Sequence, residues 1–368
     1  MRRILLFSLL VFIISCNRND EDLLITQKQG NHLISKTQIE KILLSKNFNE
    51  KFSKSRRTGK VFDKTISTIQ TIISKGIPIF YAVNYQEGGY IIISADNRLN
   101  PILALSEENT FDYNSAKSQN GIGMWLSLQT EAIEYIRNEN PAQSEEVENA
   151  WDDIASSAPP DDTSGSITTY VDALTTTKWG QGQTYNDYTP IGSCGLHTLT
   201  GCVATAMAQI IKYNEYSGIN NYNWSWMPDD FGTSETSRLM HDAGLSVNMN
   251  YGCEESGALT SNIQSGFAHF GYVNAKKTSN LIANWITNDL ALNKPVILTG
   301  GGHAWVCDGS YTHSEWDADG GWTIQLFHMN WGWNGNQNDY YSLSSLNPYG
   351  LDLRDKLTVF YNLYHLPN

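Results

Sequence analysis

Thr200-Gly201-Cys202-Val203-Ala204-Thr205-Ala206-Met207-Ala208-Gln209-Ile210-Ile211-Lys212-Tyr213 is the run around which the rest of the chain is organised. At helical spacing Val203, Ala206, Met207, Ile210 and Tyr213 share one face, so the run from Cys202 onward reads as a buried helix. Thr200 and Gly201 suit the turn into it. Cys202 then falls in the first turn, where unpaired backbone N–H groups and the positive end of the helix dipole favour an anion. That placement predicts a lowered thiol pKa and a reactive thiolate. Free cysteine is also a common apolar core residue, so the helix needs partners elsewhere before it reads as catalytic.

Those partners lie on both sides. Pro295-Val296-Ile297-Leu298-Thr299-Gly300-Gly301-Gly302-His303-Ala304-Trp305 reads as a strand, a glycine break and a second strand beginning at His303. Glycines let backbone and substrate approach closely, so His303 is placed to meet a thiol from elsewhere in the fold. Ile324-Gln325-Leu326-Phe327-His328-Met329-Asn330-Trp331 reads as a strand ending on Asn330 and Trp331. An Asn carbonyl can hold a histidine tautomer, and a Trp face can shield that bond from water. His328 is a rival base; it shares the face of Asn330, two residues on, and reads as packing. Upstream, Trp179-Gly180-Gln181-Gly182-Gln183-Thr184-Tyr185-Asn186 supplies Gln181 before the cysteine.

Gly201-Cys202-Val203-Ala204-Thr205-Ala206-Met207-Ala208-Gln209, Gly301-Gly302-His303-Ala304-Trp305 and His328-Met329-Asn330-Trp331-Gly332-Trp333 closely resemble, in order and spacing, the streptopain family of secreted bacterial cysteine peptidases. The resemblance covers nearly all of residues 165–368. It implies an α+β, papain-like peptidase domain over 169–368, a zymogen, and endopeptidase activity on protein or peptide substrates with an apolar P2 side chain. Cys202 matches the nucleophile and His303 the base. Asn330 and Trp331 match the histidine-supporting position, with the orienting residue of the two left open. Gln181 matches the glutamine whose side-chain amide could join the Cys202 backbone N–H in an oxyanion hole. Two departures bear on the cleft. The interval from Gln181 to Cys202 is shorter than in the best-known members and contains Cys194, and no glycine-rich run occurs in Asp352 to Asn368.

The front of the chain reads as a smaller α+β unit over 17–150. Thr37-Gln38-Ile39-Glu40 has the form of a capping box; strand-like runs cover 77–85, 90–95 and 101–105; a helix runs from about Ile122 to Arg137. The unit lacks a nucleophile–base pair, since its only histidine is His32 and it has no cysteine. By itself that leaves a structural, inhibitory or binding role open. Tyr90-Ile91-Ile92-Ile93-Ser94-Ala95-Asp96 and Pro101-Ile102-Leu103-Ala104-Leu105-Ser106 resemble the streptopain-type propeptide, which implies an inhibitor of the chain's own peptidase. Residues 142–168, rich in acid and then in Pro, Ser and Gly, show no apolar periodicity. They predict an exposed linker, with 151–168 as the processing region.

Arg2 and Arg3 followed by the apolar run Ile4 to Ile14 predict a signal peptide over 1–16. Its end, Ile13-Ile14-Ser15-Cys16, has the form of a lipobox, with Cys16 as the lipidation site and the membrane reached only through that anchor. The chain then reads as exported, as a surface lipoprotein or as a secreted product. A net charge of −13 argues against a nucleic-acid partner. No cofactor is implied. A Cys194–Cys253 bridge is possible, and nothing in the sequence decides it. Cys194-x-x-His197 with Cys202 could begin a zinc site, but no second ligand pair closes it. Two other readings stay open: a silent peptidase fold used for binding, and another Cys–His acyl transfer.

Overall fold

A computed structural model describes residues 32–52, 65–158, 164–279, 283–318, 320–347 and 349–365. The signal segment and Cys16 lie outside the described residues. So does residue 53–64 of the front unit.

The front unit begins with helices Lys36–Leu43 and Lys46–Phe52. The first is capped by Ser35, not by Thr37. The Ser35 hydroxyl accepts from the Gln38 N–H and the Gln38 side chain accepts from the Ser35 N–H, so the capping box lies two residues earlier than expected. Four strands follow: β1 (Ile66–Ser74), β2 (Ile77–Tyr85), β3 (Tyr90–Ser94) and β4 (Ile102–Ser106). Three of them fall where alternation and turn residues predict. β1 does not stand out in the sequence because it is an edge strand with only Ile72 fully buried. A long helix, Asn120–Glu139, crosses the sheet and ends on Asn140 in the left-handed conformation.

The expected linker is partly ordered structure. Glu145–Ala155 is a helix whose Ala150, Trp151 and Ile154 are buried. Val147, Ala150, Trp151 and Ile154 keep helical spacing, but the acidic outer face masks it. Trp151 and Ile154 pack with Tyr311, Trp322, Ile324 and Leu326 from the back half. Gly165–Val171 is strand β5 and pairs antiparallel with β8, described below, along seven residue pairs.

The back half carries the helices Cys202–Asn214, Ser234–Ser246, Ile263–His269 and Ala283–Ala291. Its strands are β6 (Lys276–Thr278), β7 (Val296–Gly300), β8 (His303–Trp316), β9 (Gly321–Asn330), β10 (Asp339–Ser342) and β11 (Thr358–Tyr361). All strands join one antiparallel sheet in the order β1-β2-β3-β4-β10-β9-β8-β7-β11-β6, with β5 added to β8. The front sheet therefore runs into the back sheet through one pair, β4–β10, in which Leu105 faces Tyr340 and Ala104 faces Tyr341. Side chains seal the same seam. Tyr90 and Tyr341 share a hydroxyl hydrogen bond of 2.9 Å, and the Trp125 indole donates to the Ser342 carbonyl at 2.8 Å. Ile122, Trp125 and Leu126 belong to one apolar cluster with Trp305, Trp331 and Leu357. The two halves share a core, which is how a small front unit holds its place against the larger one.

Candidate active site

The Cys202 helix is buried along Val203 to Ile211 and packs on Ile297 of β7 and Ala304 and Val306 of β8. Its N-cap is Gly201 at φ +87, a conformation that favours glycine. Space demands glycine too. A Cβ there would lie 2.7 Å from Met249 Sδ and 2.9 Å from the Ser256 carbonyl oxygen. Cys202 is a free thiol, partly buried at the first helical position.

The expected fall in its pKa is not what this state shows. Burial pushes the Cys202 thiol above its ordinary value, and the backbone N–H groups of Ala304, Val203 and Cys202 itself offset only part of that. The helix N-terminus acts in the predicted direction but is outweighed by desolvation. The involvement of Ala304 also sets the thiol beside the start of β8, because the residue before Ala304 is His303.

His303 opens β8 from the glycine break and is buried. Its Nε2 lies 2.9 Å from the Trp331 carbonyl oxygen. A carbonyl only accepts, so Nε2 carries the proton and Nδ1 is left as the lone-pair nitrogen. The imidazole lies nearly parallel to Trp305 and Trp333, at interplanar angles of 11° and 12°. Burial pushes its pKa down to about 4, partly countered by the Trp331 carbonyl. In this state the His303 imidazole is neutral near pH 7.

The Asn330–Trp331 pair divides its labour differently from the side-chain expectation. The Asn330 amide turns away from His303: its Nδ2 donates to the Thr177 carbonyl at 2.7 Å and to Gln209 Oε1 at 3.0 Å, and its Oδ1 accepts from the Gly332 N–H. Gln209 lies two turns along the Cys202 helix, so Asn330 ties that helix to the end of β9. Trp331 holds His303 through its backbone, while its indole donates to the Gln337 carbonyl and packs on Trp305 and Tyr341. Gln181 is buried, and its carbonyl accepts the Thr200 N–H at 3.0 Å, two residues before Cys202. His328 is bound through Nδ1 to Asp308 at 2.6 Å. Cys194 and Cys253 form a disulfide. That bond takes Cys194 out of the zinc reading.

The glycines of the front helix were missed as site residues. A Cβ on Gly121 would stand 2.4 Å from Trp331 Cε3 and 2.7 Å from His303 Cδ2. One on Gly301 would stand 2.4 Å from Met124 Cγ. The front helix thus lies directly on the histidine and on the glycine break before it. A signal existed: Asn120-Gly121-Ile122-Gly123 puts two glycines in a first helical turn, where they cost about 1 kcal/mol each against alanine. Such residues mark close approach.

Residues 179–218 and 214–341 match the Peptidase C10 family, and residues 34–133 match the Spi protease inhibitor family. The matched stretch, 179–341, places the catalytic part of the chain with the streptopain-like C10 cysteine peptidases. Streptopain of Streptococcus pyogenes is 28% identical over 332 residues, covering 74% of this chain and 75% of that one. The thiol protease/hemagglutinin PrtT of Porphyromonas gingivalis is 28% identical over 327 residues, covering 73% of this chain but 34% of that protein. In fold the chain is similar to a fragment of Prevotella intermedia prointerpain A, with a TM-score of 0.61, 24% identity, and coverage of 82% and 100% of the two chains. This C10 peptidase is a cysteine endopeptidase of papain-like fold whose N-terminal unit is an inhibitory propeptide.

Proposed function

We propose that this chain is an exported endopeptidase zymogen in which Cys202 attacks the substrate carbonyl while His303 Nδ1 takes the thiol proton. The backbone N–H of Cys202 and the side-chain amide of Gln181 would hold the oxyanion, and His303 would return its proton to the leaving amine. The Trp331 carbonyl orients the imidazole; Asn330 positions the Cys202 helix. The observation that carries this reading is Gly121 seated on His303 and Trp331, since a propeptide that lies on a histidine is what silences a histidine-dependent enzyme. Covalent attachment gives the propeptide a high effective concentration, so modest intrinsic affinity keeps the cleft covered.

Activation then requires a cut between the helix ending at Ala155 and the strand beginning at Gly165. β5 would stay with the peptidase because it pairs with β8. Full-length Cys202→Ala should persist as one species of about 40 kDa, while the wild type converts to about 22 kDa (~110 Da per residue over a domain of ordinary size). Full peptidase activity in an uncut precursor would defeat the zymogen arrangement. In the same expression experiment a palmitate analogue should label the wild type and not Cys16→Ser, as the lipobox at Ile13-Ile14-Ser15-Cys16 implies. An unlabelled wild type in a lipidating host would leave export without the anchor. No helix among the described residues is long and apolar enough to cross a membrane.

A further inference from the structure

We propose that the Cys194–Cys253 disulfide positions the nucleophile, by fixing the turn Leu199–Gly201 from which the Cys202 helix springs; this rests on Cys202 being the attacking group. Two loops meet at that turn. One is a short hairpin closed by the Ile191–His197 bridge, with the Gly192 N–H donating to the Leu196 carbonyl at 2.9 Å and the Thr198 N–H to the Pro190 carbonyl at 3.0 Å. Cys194 sits at its exposed tip. The other loop is closed by reciprocal hydrogen bonds between Asn250 and Gly257 and carries Cys253 near its tip.

The second loop grips the chain just before the nucleophile. The Leu199 N–H donates to the Gly252 carbonyl at 3.1 Å, and the buried Ser256 hydroxyl donates to the Leu199 carbonyl at 2.7 Å. That hydroxyl also accepts the Gly252 N–H at 2.9 Å. Thr200 is held from the opposite side by the Gln181 carbonyl. Gly201 is then pressed against Met249 and the Ser256 carbonyl, at the distances given above. Leu199, Thr200 and Gly201 are thus clamped between the Cys253 loop and the Gln181 segment.

The tips of both loops lie at the surface. Ile191 and Leu196 are exposed on the first of them, so little apolar burial holds the loops together. The disulfide supplies covalently what packing does not. Its relevance to chemistry is geometric. The Cys202 N–H and the Gln181 amide must converge on one oxygen, and a misplacement of about 1 Å in such a site costs on the order of 100-fold in rate.

The test uses the full-length chain after processing, comparing the wild type with Cys194→Ser/Cys253→Ser. We expect kcat to fall by about 10- to 100-fold with KM changed by less than about threefold, the pattern of interactions made only in the transition state. The pH profile of Cys202 alkylation by iodoacetamide should shift to higher pH, because the Val203 and Cys202 N–H groups that favour the thiolate would lose their alignment. Ser256→Ala keeps the disulfide and removes the Leu199 bond; it should move both readouts the same way by a smaller factor. It decides the matter if the double variant does not fold. Unchanged kcat and an unchanged alkylation profile, with only a lower unfolding temperature, would overturn the proposal. A wild type without Cys202-dependent hydrolysis defeats the functional reading instead, and the alkylation profile then still decides the positioning claim.

Discussion

Cys202→Ala and His303→Ala should each abolish peptide hydrolysis by the processed enzyme, and the double variant should be no worse than either. Nucleophile and base act as one unit, so the effect of removing both does not exceed the effect of removing one, and losses on the order of 10⁴- to 10⁶-fold are the scale for such units. The contrast with neighbours is the sharper check. His328→Ala should keep most activity, because the thiol is approached by the N–H of Ala304, the neighbour of His303, while His328 is bound to Asp308. Asn330→Ala should lose part of it and also destabilise the fold, because it frees Gln209 and the Thr177 carbonyl rather than His303. Steady-state kinetics on a fluorogenic peptide with an apolar P2 residue would measure all five variants. Full activity in His303→Ala beside an inactive His328→Ala would reverse the assignment of the base.

Gly121→Leu should unmask the enzyme without any cut. The added carbons must displace either the propeptide helix or the Trp331–His303 pair, and overpacking a close contact costs about 1–3 kcal/mol. That corresponds to roughly 5- to 150-fold weaker inhibition by the propeptide, although the helix itself gains propensity when glycine is replaced. The readout is the rate of Cys202 alkylation in the uncut precursor, slow in the wild type and faster in the variant. An unchanged rate would mean that the helix does not gate the site.

The pH dependence of propeptide affinity checks the same contact. Covered His303 is depressed to about 4 from an ordinary 6.5. Its contribution to affinity is therefore full above about 6.5 and is lost as pH falls toward 4. Asp339 on β10 works in the opposite sense. Burial lifts it to about 6 from 3.8, against hydrogen bonds from Ser106, Asn109 and Tyr90 of the propeptide. Its protonation supports the covered state at low pH and stops doing so as pH rises through 6. The two oppose each other in the wild type. Asp339→Asn should leave His303 alone, so that inhibition in trans weakens by up to about two orders of magnitude from pH 6.5 to 4. A flat profile in that variant would remove His303 as the pH-sensitive group.

The elements that carry Cys202 and His303 are legible in the chain without its fold. Val203, Ala206, Met207 and Ile210 at helical spacing, with Gly201 ahead of them, announce a buried helix starting at Cys202, and the triple glycine before His303 announces a strand that begins on a histidine. The runs at 77–85 and 90–95 are legible for the same reason: each buries a face through a local repeat. What escaped was whatever buries too little or masks its repeat. The edge strand β1 buries too little, and the helix Glu145–Ala155 hides its apolar face behind acid. The holder of His303 is a backbone carbonyl, which every residue possesses, so no side chain at 331 could reveal it; that also let Asn330, whose amide is spent on Thr177 and Gln209, look like the partner. Long-range packing alone makes β4 pair with β10, joins both halves in one sheet and sets Gly121 on His303. These are contacts between residues about 180 to 240 positions apart. They are set by which apolar faces find each other when the core closes, a choice that is made by shape across the whole chain and leaves no mark in either segment alone.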